Sequence, residues 1–351
     1  RQTIPDVVTL GQRFRQRGYT SVRIGKIYHY GNPGTIGTSG QDDISTWDYT
    51  INPYGRDKEE EYKINTLKKR QYGGTLSWLA AEGKDEEQTD GIGASEAIEQ
   101  LEKFSKNRKK FFLAVGMYRP HTPYVAPKKY YELHETNDMH IPESSDAYLK
   151  TLPHPAAISV RDQKEQNNLE RDLAKIIKEA YYATNSFVDA QVGRVMDKLE
   201  ATGLDKNTIV VFTSDHGYHL GEHGHWQKRT LFENATRVPL IVAGPNINKN
   251  ENIPSLCFQS VYELAKKTNT KLPEILPLGN IPLKNKSKKA LVAYLVAGDP
   301  DIETTLELMT VLVESGVDII EVGVPFTDPI AEGPIIQKAH DRALKNNVSL
   351  K

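Results

Sequence analysis

The chain has 351 residues, 38% of them hydrophobic, which is enough to build the cores of two ordinary domains, and its formal net charge is -1. So even a balance gives no electrostatic case for nucleic acid or for an anionic membrane surface as partner. The single cysteine, Cys257, excludes an internal disulfide framework, and no apolar stretch approaches the ~20 residues that a membrane-spanning helix needs.

Residues 31–88 are rich in Gly, Asp, Glu, Lys and Tyr, with charge runs such as RDKEEE at 56–61, and read as solvated loops. A helix is predicted over about 95–105, with Ile98, Leu101 and Phe104 on one face. A longer one follows over about 169–202, carrying Leu173, Ile176, Ala180, Phe187, Val192, Val195 and Leu199, with Gly203 as its carboxyl cap. It feeds residues 207–212, NTIVVF, a β-branched and aromatic run that reads as a fully buried parallel strand. Helix, turn and buried strand in that order follow the logic of a doubly wound sheet, whose ligands bind beyond the carboxyl ends of the strands. Residues 246–289 are rich in Asn and Lys and include the basic run KNKSKK at 284–289, a candidate junction. Beyond it, residues 290–297 read as a strand entering a helix that Asp299 can cap, with Pro300 at the first helical position. Ile302, Leu306, Met309, Leu312 and Val313 repeat at helical spacing before Gly316, and a strand over 317–325 and a helix over about 334–346 complete a β-α-β-α series.

The run TSDHGYHLGEHGHWQK at 213–228 places a carboxylate, several imidazoles and a lysine directly after the predicted strand. Asp215 and His216 therefore fall where an open sheet presents its reactive groups. His216, His219, His223 and His225 lie within ten residues, a density that raises zinc, but no cysteine or zinc-finger spacing accompanies them and a separate zinc site is not expected. His134, His140 and His154 lie in polar loop sequence and read as surface residues.

Three further segments match the same pattern in order: GYTSVRIGKIYH at 18–29, FFLAVG at 111–116 followed by RPHTP at 119–123, and RVPLIVAGP at 237–245. Together with 213–228 they resemble the formylglycine-dependent sulfatases, in particular the iduronate-2-sulfatase-like branch, over about residues 1–245. The resemblance implies an α/β fold, the sulfatase/alkaline-phosphatase-like doubly wound sheet. It implies that Lys26 and Lys228 neutralise the sulfate, that His29 assists the aldehyde hydrate, and that His121 contacts the sulfate or protonates the leaving alcohol. Asp215 and His216 become ligands of a hard cation, calcium (Ca2+). The family's nucleophile is a formylglycine made from Cys or Ser in a C/S-x-P-S-R motif, and its metal site needs an Asp-Asp pair; neither occurs in the expected place. Thr3, Ile4 and Pro5 correspond to a region just after the formylglycine helix, so the start reads as an amino-terminal truncation. Cys257 lacks the motif's proline and arginine and is not expected to be the nucleophile.

The stretch EVGVPFTDP at 321–329, continuing to GPIIQ at 333–337, resembles the tryptophan synthase alpha chain over about 285–351. That likeness makes Glu321 an acid/base at the end of the second barrel strand and Glu332 the second acidic group, where the family more often has Asp. A closed (β/α) TIM barrel needs eight strands and typically ~250 residues, so this partial barrel segment cannot close alone.

The expected organisation is a partial sulfatase catalytic domain at 1–250, a linker at 251–284 and the alpha-chain-like fragment at 285–351. The expected function is sulfuric ester hydrolysis on a sulfated carbohydrate, with no turnover by residues 1–351 themselves. The alternatives are a lyase segment cleaving indole-3-glycerol phosphate, and a non-catalytic module binding sulfated glycans. A tryptophan synthase beta chain is a partner only for a complete carboxyl-terminal segment. The sulfatase resemblance points to a periplasmic, extracellular or lysosome-like compartment, and the other to the cytoplasm.

Overall fold

The computed structural model describes residues 7–161, 164–245, 247, 292–314, 319–323 and 333–345. The chain divides into two compact units, 1–250 and 251–351. Thr3, Ile4, Pro5, Cys257, Glu332, Gly316 and the junction at 251–284 lie outside the described residues.

The described strands of the first unit are β1 (Thr20–Gly25), β2 (Tyr49–Ile51), β3 (Asn65–Thr66), β4 (Ser77–Ala81), β5 (Phe111–Gly116), β6 (Tyr124–Pro127), β7 (Val210–Thr213) and β8 (Leu240–Ala243). Parallel pairing of β1 with both β2 and β5 makes a sheet of order β2-β1-β5. Val22 and Ile24 of β1 are fully buried and pack with Ala97 and Phe104 of the helix Thr89–Asn107. That helix begins six residues before its predicted start, because Thr89, Asp90, Gly91 and Ala94 are buried through polar and close-packed contacts that an apolar periodicity does not register. A second sheet, β3-β4-β6, has β4 parallel to β6.

The 31-residue helix Arg171–Ala201 packs against the second sheet. Ala174, Ile177 and Ala180 meet Leu76, Tyr124 and Trp226, and Ala183 and Phe187 meet Ala126 and Tyr130. The predicted stripe holds at Ala180, Phe187 and Leu199 and is displaced by one residue at its start, where Ala174 and Ile177 are the buried positions. Ile177 is fully buried whereas Ile176 is 38% exposed, since small and polar residues (Ala174, Thr184, Gln191) supply much of the buried line at 3.6 residues per turn. Gly203 follows the helix in the left-handed region, as the capping pattern requires.

The run at 207–212 does not form the expected buried parallel strand. β7 pairs antiparallel with β8, its strand neighbour among the described residues, and Val211 and Phe212 are 59% and 42% exposed. A continuous apolar run is compatible with burial on both faces, but burial requires a covering layer, and β8 supplies one edge only. The α/β character holds, with the strands of the first unit distributed over small sheets rather than one continuous sheet among the described residues.

In the second unit β9 (Val292–Val296) lies parallel to β10 (Ile319–Gly323), with the helices Ile302–Glu314 and Gly333–Lys345 following them in the predicted β-α-β-α order. The cap differs from the prediction: Asp301 accepts the Thr304 amide at 2.7 Å, while Asp299 receives the Arg342 guanidinium at 2.7 and 2.8 Å. The helix starts two residues later than Pro300 suggested, so Asp301 is the carboxylate in reach of its free amides. Glu321 is the third residue of β10, in register with Tyr294 of β9. Among the described residues no helix is long and apolar enough to cross a membrane.

Candidate active site

Two glycines bring the ends of β1 and β5 together. Gly25 has φ +69°, and a Cβ on Gly116 would stand 1.7 Å from the Lys26 carbonyl oxygen, so only glycine permits this approach. The Lys26 amide donates to the Gly116 carbonyl at 2.9 Å. Lys26 thus leaves β1 beside the turn that leaves β5, and that turn carries His121.

The other half of the cluster comes from the loop after β7. His219 N–H donates to Gln227 O at 3.1 Å and Gly221 N–H to His225 O at 3.0 Å, folding the loop back on itself. Trp226, almost fully buried in the core, anchors it, and Tyr218 Oη donates to the Trp226 carbonyl at 2.9 Å. Gly217 N–H donates to Ala235 O at 2.7 Å, tying the loop to the following helical turn. The fold-back returns Lys228 to the start of the loop, where its Nζ donates to His216 Nε2 at 2.8 Å. Asp215 Oδ2 lies 3.6 Å from Lys26 Nζ, and Asp215 Oδ1 lies 3.7 Å from His216 Nε2.

Lys26, Asp215, His216 and Lys228 therefore form one cluster, and the charges of Lys26 and Lys228 reach His121. Burial pushes His121 down to about 4, and the two lysines add to the shift against a hydrogen bond to the Thr122 carbonyl. His216 is lowered by burial and by Lys228, and Lys228 by burial and by Lys26. Burial would raise the Asp215 carboxyl, but Lys26, His216 and Lys228 together hold it below its ordinary value. Two ammonium groups against one carboxylate leave the cluster electropositive, which suits a tetrahedral oxyanion.

The tautomers follow from the partners. His216 Nδ1 lies 2.7 Å from the Gly217 carbonyl, and His121 Nδ1 lies 2.8 Å from the Thr122 carbonyl. A carbonyl only accepts, so each Nδ1 carries its proton and each neutral ring presents its Nε2 lone pair. His29 lies three residues after Lys26. It is exposed in the turn after Lys26, and among the described residues no hydrogen bond or ion pair joins its ring to the cluster.

Calcium does not fit these residues alone. A calcium ion takes six to eight oxygen ligands, whereas Asp215 and His216 offer one carboxylate and one imidazole whose lone pair faces Lys228. Among the described residues no three His, Cys, Asp or Glu groups converge on a common point. Of the three later histidines of the loop, His219 and His225 fill its interior and His223 lies at its surface. His219 and His225 are fully buried with ring centroids 5.1 Å apart, His219 Nε2 lies 2.8 Å from Thr230 Oγ1, and His223 Nδ1 lies 2.8 Å from Tyr148 Oη. Of the expected surface histidines, His140 and His154 are exposed, while His134 is half-buried with its Nε2 2.9 Å from Ser186 Oγ.

Sequence reasoning passed over the buried groups behind His121. Arg119 Nη2 meets Asp57 Oδ2 at 2.7 Å, and Asp90 receives the backbone amides of Tyr118 and Arg119. Asp57 lay in a charge run that read as solvated, and Asp90 preceded the predicted helix, so neither carried a signal.

The family described as Sulfatase matches residues 2–278, and that described as Tryptophan synthase alpha chain matches residues 281–351. A sulfatase of Formosa agariphila is 35% identical over 254 residues, covering 71% of this chain and 49% of that protein. The iduronate 2-sulfatase of Mus musculus is 32% identical over 257 residues, covering 68% of this chain and 45% of its own length. The chain thus spans about half the length of these curated relatives. Among solved structures, a phosphonate monoester hydrolase from Silicibacter pomeroyi superposes with a TM-score of 0.54 at 18% identity, covering 69% of this chain and 54% of the other. This likeness supports the α/β fold and nothing finer.

Proposed function

For a chain that belongs to the sulfatase family, we propose that the Lys26–Asp215–His216–Lys228 cluster, with His121 beside it, binds the sulfate group of a sulfated carbohydrate. The observation that carries this reading is the pairing of two ammonium groups, brought from β1 and from the folded loop, around a single carboxylate. Each ammonium would neutralise a sulfate oxygen, His216 would hold the Lys228 ammonium through its Nε2 lone pair, and His121 would donate to the group from Nε2 once protonated. The iduronate 2-sulfatase relatives favour an acidic sulfated sugar as the substrate class.

In the complete reaction of this family a formylglycine supplies the nucleophile and a metal, calcium in our reading, supplies Lewis acidity. No C/S-x-P-S-R segment occurs in residues 1–351, and the described residues do not complete a calcium site. We therefore assign this polypeptide the binding of the sulfate group and not its hydrolysis. As found, His121 offers a lone pair at Nε2 and no proton, so its part is to accept a proton or hydrogen bond until an anion beside it raises its basicity.

The test is titration of the purified chain with inorganic sulfate and with a sulfated monosaccharide, followed by calorimetry. Binding that Lys228→Met weakens at least about tenfold, the loss of one charge-assisted contact, would support the reading. Equal binding by the variant would sink it. Steady hydrolysis of an aryl sulfate by residues 1–351 would overturn the assignment of binding without turnover. For the second unit, similar to the tryptophan synthase alpha chain, we expect no indole release from indole-3-glycerol phosphate, because 71 residues do not close a barrel.

A further inference from the structure

We infer that Asp90 is a positioning residue for the anion site: it clamps the turn that carries His121 and so sets where that imidazole stands beside Lys26 and Lys228. The inference rests on the reading of the cluster as a sulfate site.

Asp90 is the second residue of the helix Thr89–Asn107 and is 3% exposed. A carboxylate in a first turn ordinarily serves its own helix, by accepting that helix's free amides or by complementing its dipole. Here both oxygens are taken by another segment: Tyr118 N–H donates to Oδ1 at 2.8 Å and Arg119 N–H to Oδ2 at 3.0 Å. A planar, rigid group bound through both oxygens to consecutive amides fixes the orientation of that peptide as well as its position. The next residue, Pro120, has no amide hydrogen to offer, so the Asp90 clamp is the last backbone tie on that side before His121. The turn then closes through His121 N–H to the Tyr118 carbonyl at 3.1 Å.

A second tie backs the first. The Arg119 guanidinium meets Asp57 Oδ2 at 2.7 Å, while Asp57 Oδ1 accepts the Thr89 amide at 2.8 Å and the Thr89 hydroxyl at 2.6 Å. Asp57 thereby joins Arg119 to the residue just before Asp90, and these bonds form a closed, buried ring. On the far side of the imidazole, Thr122 Oγ1 donates to the Gly73 carbonyl at 2.9 Å. A buried charged network is a costly way to gain stability alone, since well-packed apolar groups do as well or better. What it supplies that apolar packing does not is direction, and the element it directs ends in His121.

The experiment follows the His121 imidazole by NMR in the full chain, in wild type, Asp90→Asn and Asp90→Glu, with pH and with inorganic sulfate. Asparagine sets an NH2 group against one of the two amide donors, and glutamate keeps the charge but displaces it by one methylene. The expected result is folded variants whose His121 midpoint moves up from about 4 toward its ordinary value and whose sulfate affinity no longer rises as pH falls from about 6 toward 4, because the displaced ring no longer stands beside the bound anion. Folded variants with an unchanged midpoint and an unchanged pH dependence of sulfate affinity would overturn the inference. Should Asp90→Asn not fold, Asp90→Glu decides alone; unfolding of both would also overturn it, because Asp90 would then serve the stability of the whole unit. If wild type shows no response to sulfate, the reading of the site fails, yet the midpoint comparison still tests Asp90.

Discussion

At the scale of single residues, burial and neighbouring charge act together on the site's imidazoles and on Lys228, and against each other at Asp215. His121 is held down to about 4 by burial, with Lys228 and Lys26 adding to the shift. A bound sulfate places negative charge beside the ring and favours its protonated form, so sulfate affinity should rise as pH falls from about 6 toward 4. His121→Gln should flatten that slope, and calorimetry across the interval would show it. The same shift has the opposite sign for folding. A histidine whose folded value is depressed contributes stability that is present above its unfolded value and is lost as pH falls through the folded one. His219 is likewise lowered to about 4 by burial and by His225 and His223. The thermal midpoint of wild type should therefore drop between pH 6.5 and 4, and His219→Gln should show a smaller drop. Lys26, Asp215, His216 and Lys228 were legible as candidates because they lie in long motif runs. Asp57 and Asp90 were not, since a lone carboxylate acquires its meaning from the amides and guanidinium that the fold brings to it.

Among elements, the helix Arg171–Ala201 and the ends of β1 and β5 make the sharpest claims. Ile177 is fully buried and its predicted stand-in Ile176 is not. Ile177→Ala should cost about 3 kcal/mol as a core truncation, and Ile176→Ala well under about 1 kcal/mol, as a surface change does; denaturant titration of both separates the two faces. A Cβ at Gly116 would meet the Lys26 carbonyl oxygen at 1.7 Å. Gly116→Ala should accordingly destabilise the unit by ~2–4 kcal/mol and displace Lys26, weakening sulfate binding in any molecules that still fold. β7 teaches the converse lesson. Its composition suits a strand buried on both faces, and it is a strand, but composition is silent on what lies over it, and Val211 and Phe212 stay exposed.

On the scale of the whole molecule, the chain is two units with separate likenesses, and every residue placed in the anion site belongs to the first. A chain ending at residue 250 should bind sulfate as tightly as residues 1–351 do; a large loss would mean that the second unit contributes to the site. Sequence alone determined the family likeness, the α/β class, the β-α-β-α order of the second unit and the identity of the charged residues, because each of these is written in local runs of residues. The return of Lys228 to His216, the exposure of β7 and the clamp of Asp90 on the His121 turn were decided only by the tertiary structure. Each of those depends on which distant groups a segment meets, and burial, hydrogen-bond partners and electric field arise only once the chain has folded around them.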